Sequence, residues 1–336
     1  MMMLVRSLIV GLLAGVSLAV GSPPEANAAQ PRPVELGVYI LNITELDEPA
    51  ERLSVHLMLG AYWQDPALAF AGDEPRLWRE TEALDQANSI WNPMVEFNRT
   101  LQSPDMEHAL LRIHPDGRVD FERQMNVHLS TELDLRELPF DTQHVQIELE
   151  SFQHQAHEMT LTLAPADLRI TPQISLPQWR VGRLTAKTAS YFNELYDETY
   201  SRTTVTVELQ RRHQFYIWQM MVPLVILIGV AFAVFFLPLQ DLADRMNVIV
   251  ASLLTIVALS YTLHAELPKI PYLTVIDWLF ILAYIFLGLA MAAMVWIRRL
   301  ADRDLTRAQQ LDRIIRWACP IAYFLAATFC VGRALL

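Results

Sequence analysis

The sequence predicts an all-β, immunoglobulin-like sandwich outside the membrane, followed by an all-α bundle of four membrane helices. Three observations carry that prediction. Short alternating apolar runs broken by turn residues fill residues 29–213, the pattern of half-buried strands. Four apolar stretches, each near the roughly 20 residues a helix needs to cross hydrocarbon, occupy residues 214–336. Ahead of both stand Arg6, an apolar run over 8–20 and the small residues Ala26-Asn27-Ala28, an export signal with cleavage expected after Ala28.

In chain order, residues 1–28 are the signal peptide and 29–213 the exported β-domain. Strands are expected over 38–41, 53–57, 119–121, 145–149 and 204–209, where apolar and polar residues alternate. Pro115-Asp116-Gly117 supplies a turn between two of them, and a short helix is expected over 76–86. Many short strands with little helical periodicity argue for a sandwich. The membrane helices are expected at 215–237, 244–265, 275–297 and 314–331. Between the last two lie Arg298, Arg299, Arg303, Arg307, Arg313 and Arg316, which the charge rule places in the cytoplasm. An exported first domain and four crossings also put that linker inside. Arg211 and Arg212 fall on the outer side, where the rule weakens beside a long translocated domain.

The net charge of −11 hides a division. Residues 29–213 hold 29 Asp and Glu against 16 Arg and Lys, so the exported domain carries −13. Such a surface concentrates cations, although an acidic surface also serves solubility alone. It gives no footprint for nucleic acid. Cys319 and Cys330 lie eleven residues apart in the last span, about 16 Å along a helix, too far to bridge. No His/Cys group has metal spacing, no Gly-rich loop cradles phosphate and no nucleophilic triad is evident. The sequence therefore points to no enzyme, cofactor or metal.

The second membrane span is the least apolar of the four. It carries Asn247, Ser252, Thr255, Ser260 and Thr262, and polar groups at membrane depth face a bundle interior or a water-filled cavity. Steps of three and four from Asn247 put Ala251, Leu254, Ala258, Tyr261 and Ala265 on one helical face. That face is either a pore lining or a helix-packing seam.

Several motifs in order then resemble one family. Leu138-Pro139-Phe140-Asp141-Thr142-Gln143 is similar to the aromatic-Pro-aromatic-Asp-x-Gln signature of the pentameric ligand-gated ion channels, the Cys-loop receptors. The two signature cysteines fall at Thr131 and Val145, as in the prokaryotic cysteine-less branch. Trp91-Asn92-Pro93 resembles the ligand-loop Trp-x-Pro, and Pro223 the proline of the first membrane helix. The segment from Leu267-Pro268-Lys269-Ile270-Pro271-Tyr272 to Thr274-Val275-Ile276-Asp277 is similar to the bacterial amine-gated members, as is the ending from Arg313 to Leu336.

The resemblance implies a homopentamer in a bacterial inner membrane, with the β-domain in the periplasm and lipid around the helices. It implies that Asp244, Asn247, Ala251, Leu254, Ala258, Tyr261 and Ala265 line the pore, with Leu254 as an apolar ring able to gate by dewetting. Ala243-Asp244-Arg245 matches the cation-selective pattern, an acidic residue before the basic one, where anion-selective members carry a Pro-Ala insertion. Monovalent cations are the expected cargo. A structural reading of the same residues is an Asp–Arg pair at the helix start.

For the ligand, the resemblance implies a site between subunits. Glu150-Ser151-Phe152 is similar to the amine-gated Glu-Pro-Phe. The segment 191–200 resembles the capping loop, in which Tyr200 and either Tyr191 or Tyr196 supply aromatic walls. Trp91 belongs to the same set, and Tyr39 with Tyr62-Trp63 forms the complementary wall. Such a box suits a small amine. For coupling it implies contact between Asp47, Pro139, Phe140 and Asp141, Arg211 and Arg212, and the Pro268–Pro271 linker, with Asp141 paired to Arg211 or Arg212. Two alternatives stand beside the amine-gated reading. One is a channel of this fold gated by pH or by a carboxylate ligand; the other is a non-conducting, membrane-anchored periplasmic sensor.

Overall fold

Residues 30–334, apart from 173, 175, 239–240 and 266, are described by a computed structural model. The expected signal peptide lies outside them.

Among the described residues, eleven strands form two sheets. They are β1 (Arg32–Asp47), β2 (Arg52–Gln64), β3 (Arg76–Arg79), β4 (Val95–Phe97), β5 (Asp105–Ile113), β6 (Arg118–Ser130), β7 (Thr142–Ser151), β8 (Met159–Thr162), β9 (Leu168–Ile170), β10 (Trp179–Asn193) and β11 (Glu198–Arg211). The first sheet runs β3-β5-β6-β2-β1-β8, with β9 also paired to β1; the second runs β10-β11-β7-β4. Alternation decides which side chains meet between them. On β2, Leu53, Val55, Leu57, Leu59, Ala61 and Trp63 point inward, and on β7 and β11 Val145, Ile147, Leu149, Val205, Val207 and Leu209 do the same. These residues share one apolar core, each large side chain contributing about 1.5–3 kcal/mol by burial.

The turn at Pro115-Asp116-Gly117 closes the β5–β6 hairpin. Gly117 has φ +85° there and donates its N–H to His114 O at 2.9 Å, a conformation that costs glycine little. The helix expected over 76–86 is shifted. Residues Arg76–Arg79 pair with β5 as strand β3, Leu77 opposite Arg112, and helix α1 is Glu80–Ser89. Strand pairing holds these four residues extended, and the helix follows directly at Glu80.

Four helices follow: α2 (Gln214–Phe236), α3 (Leu242–His264), α4 (Val275–Ala301) and α5 (Leu305–Ala334). All four are long and apolar enough to cross a membrane. In α2 one wide π turn, Ile217–Met221, precedes Pro223, which has no N–H to give the ordinary helical ladder. Thr274 and Asp277 form a reciprocal capping box at the start of α4. The last helix begins well before residue 314. Much of the expected arginine linker is its first turns, and only 302–304 separate α4 from α5.

Candidate ligand site, coupling contact and pore face

The strand register assembles the candidate ligand cluster. Arg202 stands opposite Glu150 across β11 and β7, and Tyr191 opposite Tyr200 across β10 and β11. Glu150 is only 2% exposed. Its carboxylate accepts from Arg202 Nε at 2.7 Å, and another guanidinium nitrogen lies 3.2 Å from Glu148. The same guanidinium lies 3.4 Å from the centre of the Tyr191 ring. The chain thus places its own cation between an aromatic face and a carboxylate. Burial opposes the Arg202 charge, but the hydrogen bond and charge of Glu150 outweigh it and raise the arginine's pKa.

Tyr200 is buried and donates its hydroxyl to Glu198 at 2.6 Å, which with burial pushes its pKa up to about 12. Phe152 and Tyr196 are exposed beside this cluster. Tyr39 belongs to the other sheet, half-buried, and accepts from Thr171 Oγ1 at 3.3 Å. Trp63 is not on an outer wall. It is 3% exposed and packs edge-on against Trp91, ring centres 5.9 Å apart. Trp91 in turn lies against the His154 ring, centres 5.1 Å apart, and has the Arg32 guanidinium 4.1 Å from its ring centre. Strand period two turns Tyr62 outward instead, where it donates to Glu122 at 3.3 Å. Its ring lies over the paired Gly37 and Gly60, and a Cβ on Gly60 would collide with the hydroxyl. Nothing local in the sequence points to Arg202, because its partner Glu150 lies 52 positions away.

At the foot of the sandwich, Arg211 ends β11 with a fully buried side chain. It donates to Asp141 at 2.6 and 3.0 Å and to Glu48 at 2.6 and 3.1 Å. Tyr216, in the first turn of α2, accepts a further bond at 3.1 Å, and the Trp179 ring lies 4.2 Å away. Burial opposes this charge, yet the two carboxylates outweigh it and raise the arginine's pKa. Of the two arginines, Arg211 is therefore the one that pairs with Asp141. Arg212 is exposed and donates its backbone N–H to Gln178 O.

Asp47 points elsewhere, to Arg52 at 3.0 Å. Its neighbour Glu48 fills the buried position, a role that only its place in the acidic turn before Pro49 hinted at. Pro139 is buried and Phe140 stacks obliquely on His213 at 5.6 Å. Between half-buried Pro268, exposed Pro271 and α4, Tyr272 pins the linker to the sandwich. Its hydroxyl accepts from Leu135 N at 3.1 Å and donates to Leu133 O at 3.3 Å.

Along α3, Arg245, Ile249, Ser252, Ile256 and Leu263 are buried against the protomer's other helices. Asp244, Asn247, Ala251, Leu254, Ala258, Tyr261 and Ala265 are all exposed, Leu254 at 64% and Tyr261 at 78%. The two faces divide at adjacent residues: Asp244 faces out while Arg245 is 2% exposed and pairs with Asp312 of α5 at 2.9 Å. At the other end, His264 Nε2 lies 2.9 Å from Asp277 Oδ1, joining α3 to the capping box of α4.

Comparison with known proteins agrees with this architecture. The profile of the neurotransmitter-gated ion-channel ligand binding domain matches residues 8–213. The chain is 24% identical over 306 residues to a proton-gated ion channel of Gloeobacter violaceus, covering 91% of this chain and 84% of that one. It is 24% identical to the gamma-aminobutyric acid receptor subunit rho-3 of Homo sapiens over 74% of this chain, and 26% identical to a serotonin-gated chloride channel of Caenorhabditis elegans over 73%. It spans only 54% and 50% of those two receptors. With a matched ligand-binding domain joined to four apolar helices, the chain belongs to the pentameric ligand-gated ion channel superfamily and is not an enzyme.

Proposed function

We propose that this protein is a homopentameric, cation-selective channel of a bacterial inner membrane, opened by a small amine bound in its periplasmic domain. One observation carries the reading: the face of α3 that starts at Asp244 is exposed along its length in the protomer, while adjacent Arg245 is turned inward. Five copies around an axis would turn that face to a central pathway, present five carboxylates at the inner mouth and set Leu254 as an apolar constriction. Carboxylate rings draw cations by direct attraction, and an apolar ring blocks flow by dewetting. The sign of selectivity rests on the Ala243-Asp244-Arg245 pattern and the exposed Asp244 carboxylate, since the relatives as a group include a chloride channel.

The amine is assigned to the Glu150, Tyr191 and Tyr200 cluster. There it exchanges for the Arg202 guanidinium, which holds the same carboxylate and ring. Release of Arg202 loosens the β10–β11 end, and the strain passes down β11 to Arg211 and the Tyr272 contact. Such transmission requires that the ligand favour one of two arrangements. The test is current from purified protein in planar bilayers under asymmetric NaCl, with primary amines applied and pH stepped separately. Amine-evoked current reversing towards the sodium potential supports the reading.

A second reading, opening by protons, is favoured by the His264–Asp277 pair at 2.9 Å between the pore helix and α4. That contact joins the pore helix to the start of α4, and one relative is a proton-gated ion channel. Current driven by pH alone, and abolished in His264→Gln, supports it over the amine.

A further inference from the structure

The sequence pairs Asp244 with Arg245 by adjacency, yet the structure separates them. Arg245 leaves the inner mouth and runs between α3 and α5. There it donates to Asp312 Oδ1 at 2.9 Å and to the Leu237 carbonyl at the end of α2. Asp312 is 3% exposed and accepts a second bond, from Arg316 at 3.0 Å. The Arg316 guanidinium rests on the Phe236 ring at 4.8 Å, closing the cluster on its outer side. Both arginine Nε atoms are buried without a partner among the described residues. This carboxylate is therefore the anchor for two cations, on the helix least buried within the protomer.

From this geometry we infer that Asp312, far from the pore face on another helix, is a positioning residue that sets charge selectivity by holding Arg245 out of the inner mouth. A guanidinium cannot stay unpaired between two apolar helices, because breaking one side of a buried ion pair leaves an uncompensated charge. Without Asp312 the guanidinium is drawn towards the carboxylate one residue along α3, where Asp244 is exposed. Five arginines released there would cancel the five Asp244 carboxylates. Asp312 thus keeps the Asp244 ring negative without touching an ion.

The inference rests on the proposed cation selectivity, and the experiment separates the two. Reversal potentials are measured under a NaCl gradient for the full-length channel and three variants. The wild-type value tests cation selectivity; the change from wild type tests Asp312. Asp312→Asn keeps size and shape and is expected to lower the sodium-to-chloride permeability ratio roughly tenfold, as expected when a full charge per subunit reaches a narrow mouth. Asp312→Glu is expected to restore most of it. The double variant Arg245→Gln/Asp312→Asn, which has no α3 guanidinium to release beside Asp244 and leaves Arg316 on the Phe236 ring, is expected to show the wild-type ratio. An Asp312→Asn channel with unchanged reversal potential overturns the inference. If Asp312→Asn does not assemble, the double variant decides: a ratio within about twofold of wild type supports the account, and a larger departure in either direction overturns it.

Discussion

Arg211 and Asp141 meet through two nearly parallel hydrogen bonds, Nε to Oδ1 at 2.6 Å and Nη2 to Oδ2 at 3.0 Å, with neither side chain reaching solvent. The pair lies at the boundary between sandwich and membrane helices, and Glu48 and Tyr216 complete it from both sides. A bidentate arginine–carboxylate contact is strong and sharply oriented. It can hold the signature loop against the first membrane helix as one unit.

Asp141→Asn keeps the shape of that contact and removes its charge. Agonist-evoked current is expected to weaken while single-channel conductance stays at the wild-type value. Arg211→Ala leaves two carboxylates buried and is expected to cost about 3–5 kcal/mol of folding stability, read as a fall in the thermal midpoint of purified protein. Unaltered gating in Asp141→Asn counts against a coupling role for the pair.

Removing the internal cation should sharpen the amine response. Arg202→Gln frees the Glu150 carboxylate and the Tyr191 face, so the amine concentration for half-activation is expected to fall roughly tenfold, the loss of one charged competitor. Glu150→Gln should abolish the amine response. Concentration–response curves for both variants decide, and an Arg202→Gln channel less sensitive than wild type contradicts the exchange.

Leu254 is expected to hold the closed pore dry. Leu254→Ser places five hydroxyls at that level and is expected to give current without agonist, since an apolar constriction gates by excluding water. Unliganded open probability measures it; a silent variant that still opens with agonist contradicts the assignment.

The Tyr200–Glu198 contact has a defined pH window. The folded value, about 12, is raised above the ordinary tyrosine value of about 10. Its contribution to stability is therefore complete below about pH 10 and lost as pH rises through about 12. Absorbance titration of wild type against Tyr200→Phe checks this, the difference spectrum developing only in that window. It also means that acid-side responses do not originate at Tyr200.

What the sequence made legible was what local pattern encodes. Period-two alternation found the strands around Val55, Val145 and Val205, and the lone polar span marked α3. Steps of three and four picked out a face that is exposed throughout. The failures have a common cause. Glu48 reaches Arg211 across 163 residues, Arg202 reaches Glu150 across 52 and Arg245 reaches Asp312 across 67. Each partner is set by how elements stack, and the alternative of an Asp244–Arg245 pair at the helix start gives way to Arg245–Asp312. Trp63 was set on the outer wall together with Tyr62, although neighbouring strand residues take opposite faces. The helix near residue 80 begins later than expected for another reason, because Arg76–Arg79 pair with β5.

The central claim is that Asp244 faces the permeation path while Arg245 does not. Reversal potentials of wild type and Asp244→Asn, measured under the same NaCl gradient, test it most directly. The account predicts a wild-type potential near that of sodium and a marked shift towards that of chloride in the variant. A wild-type potential near that of chloride, or a variant indistinguishable from wild type, would contradict it.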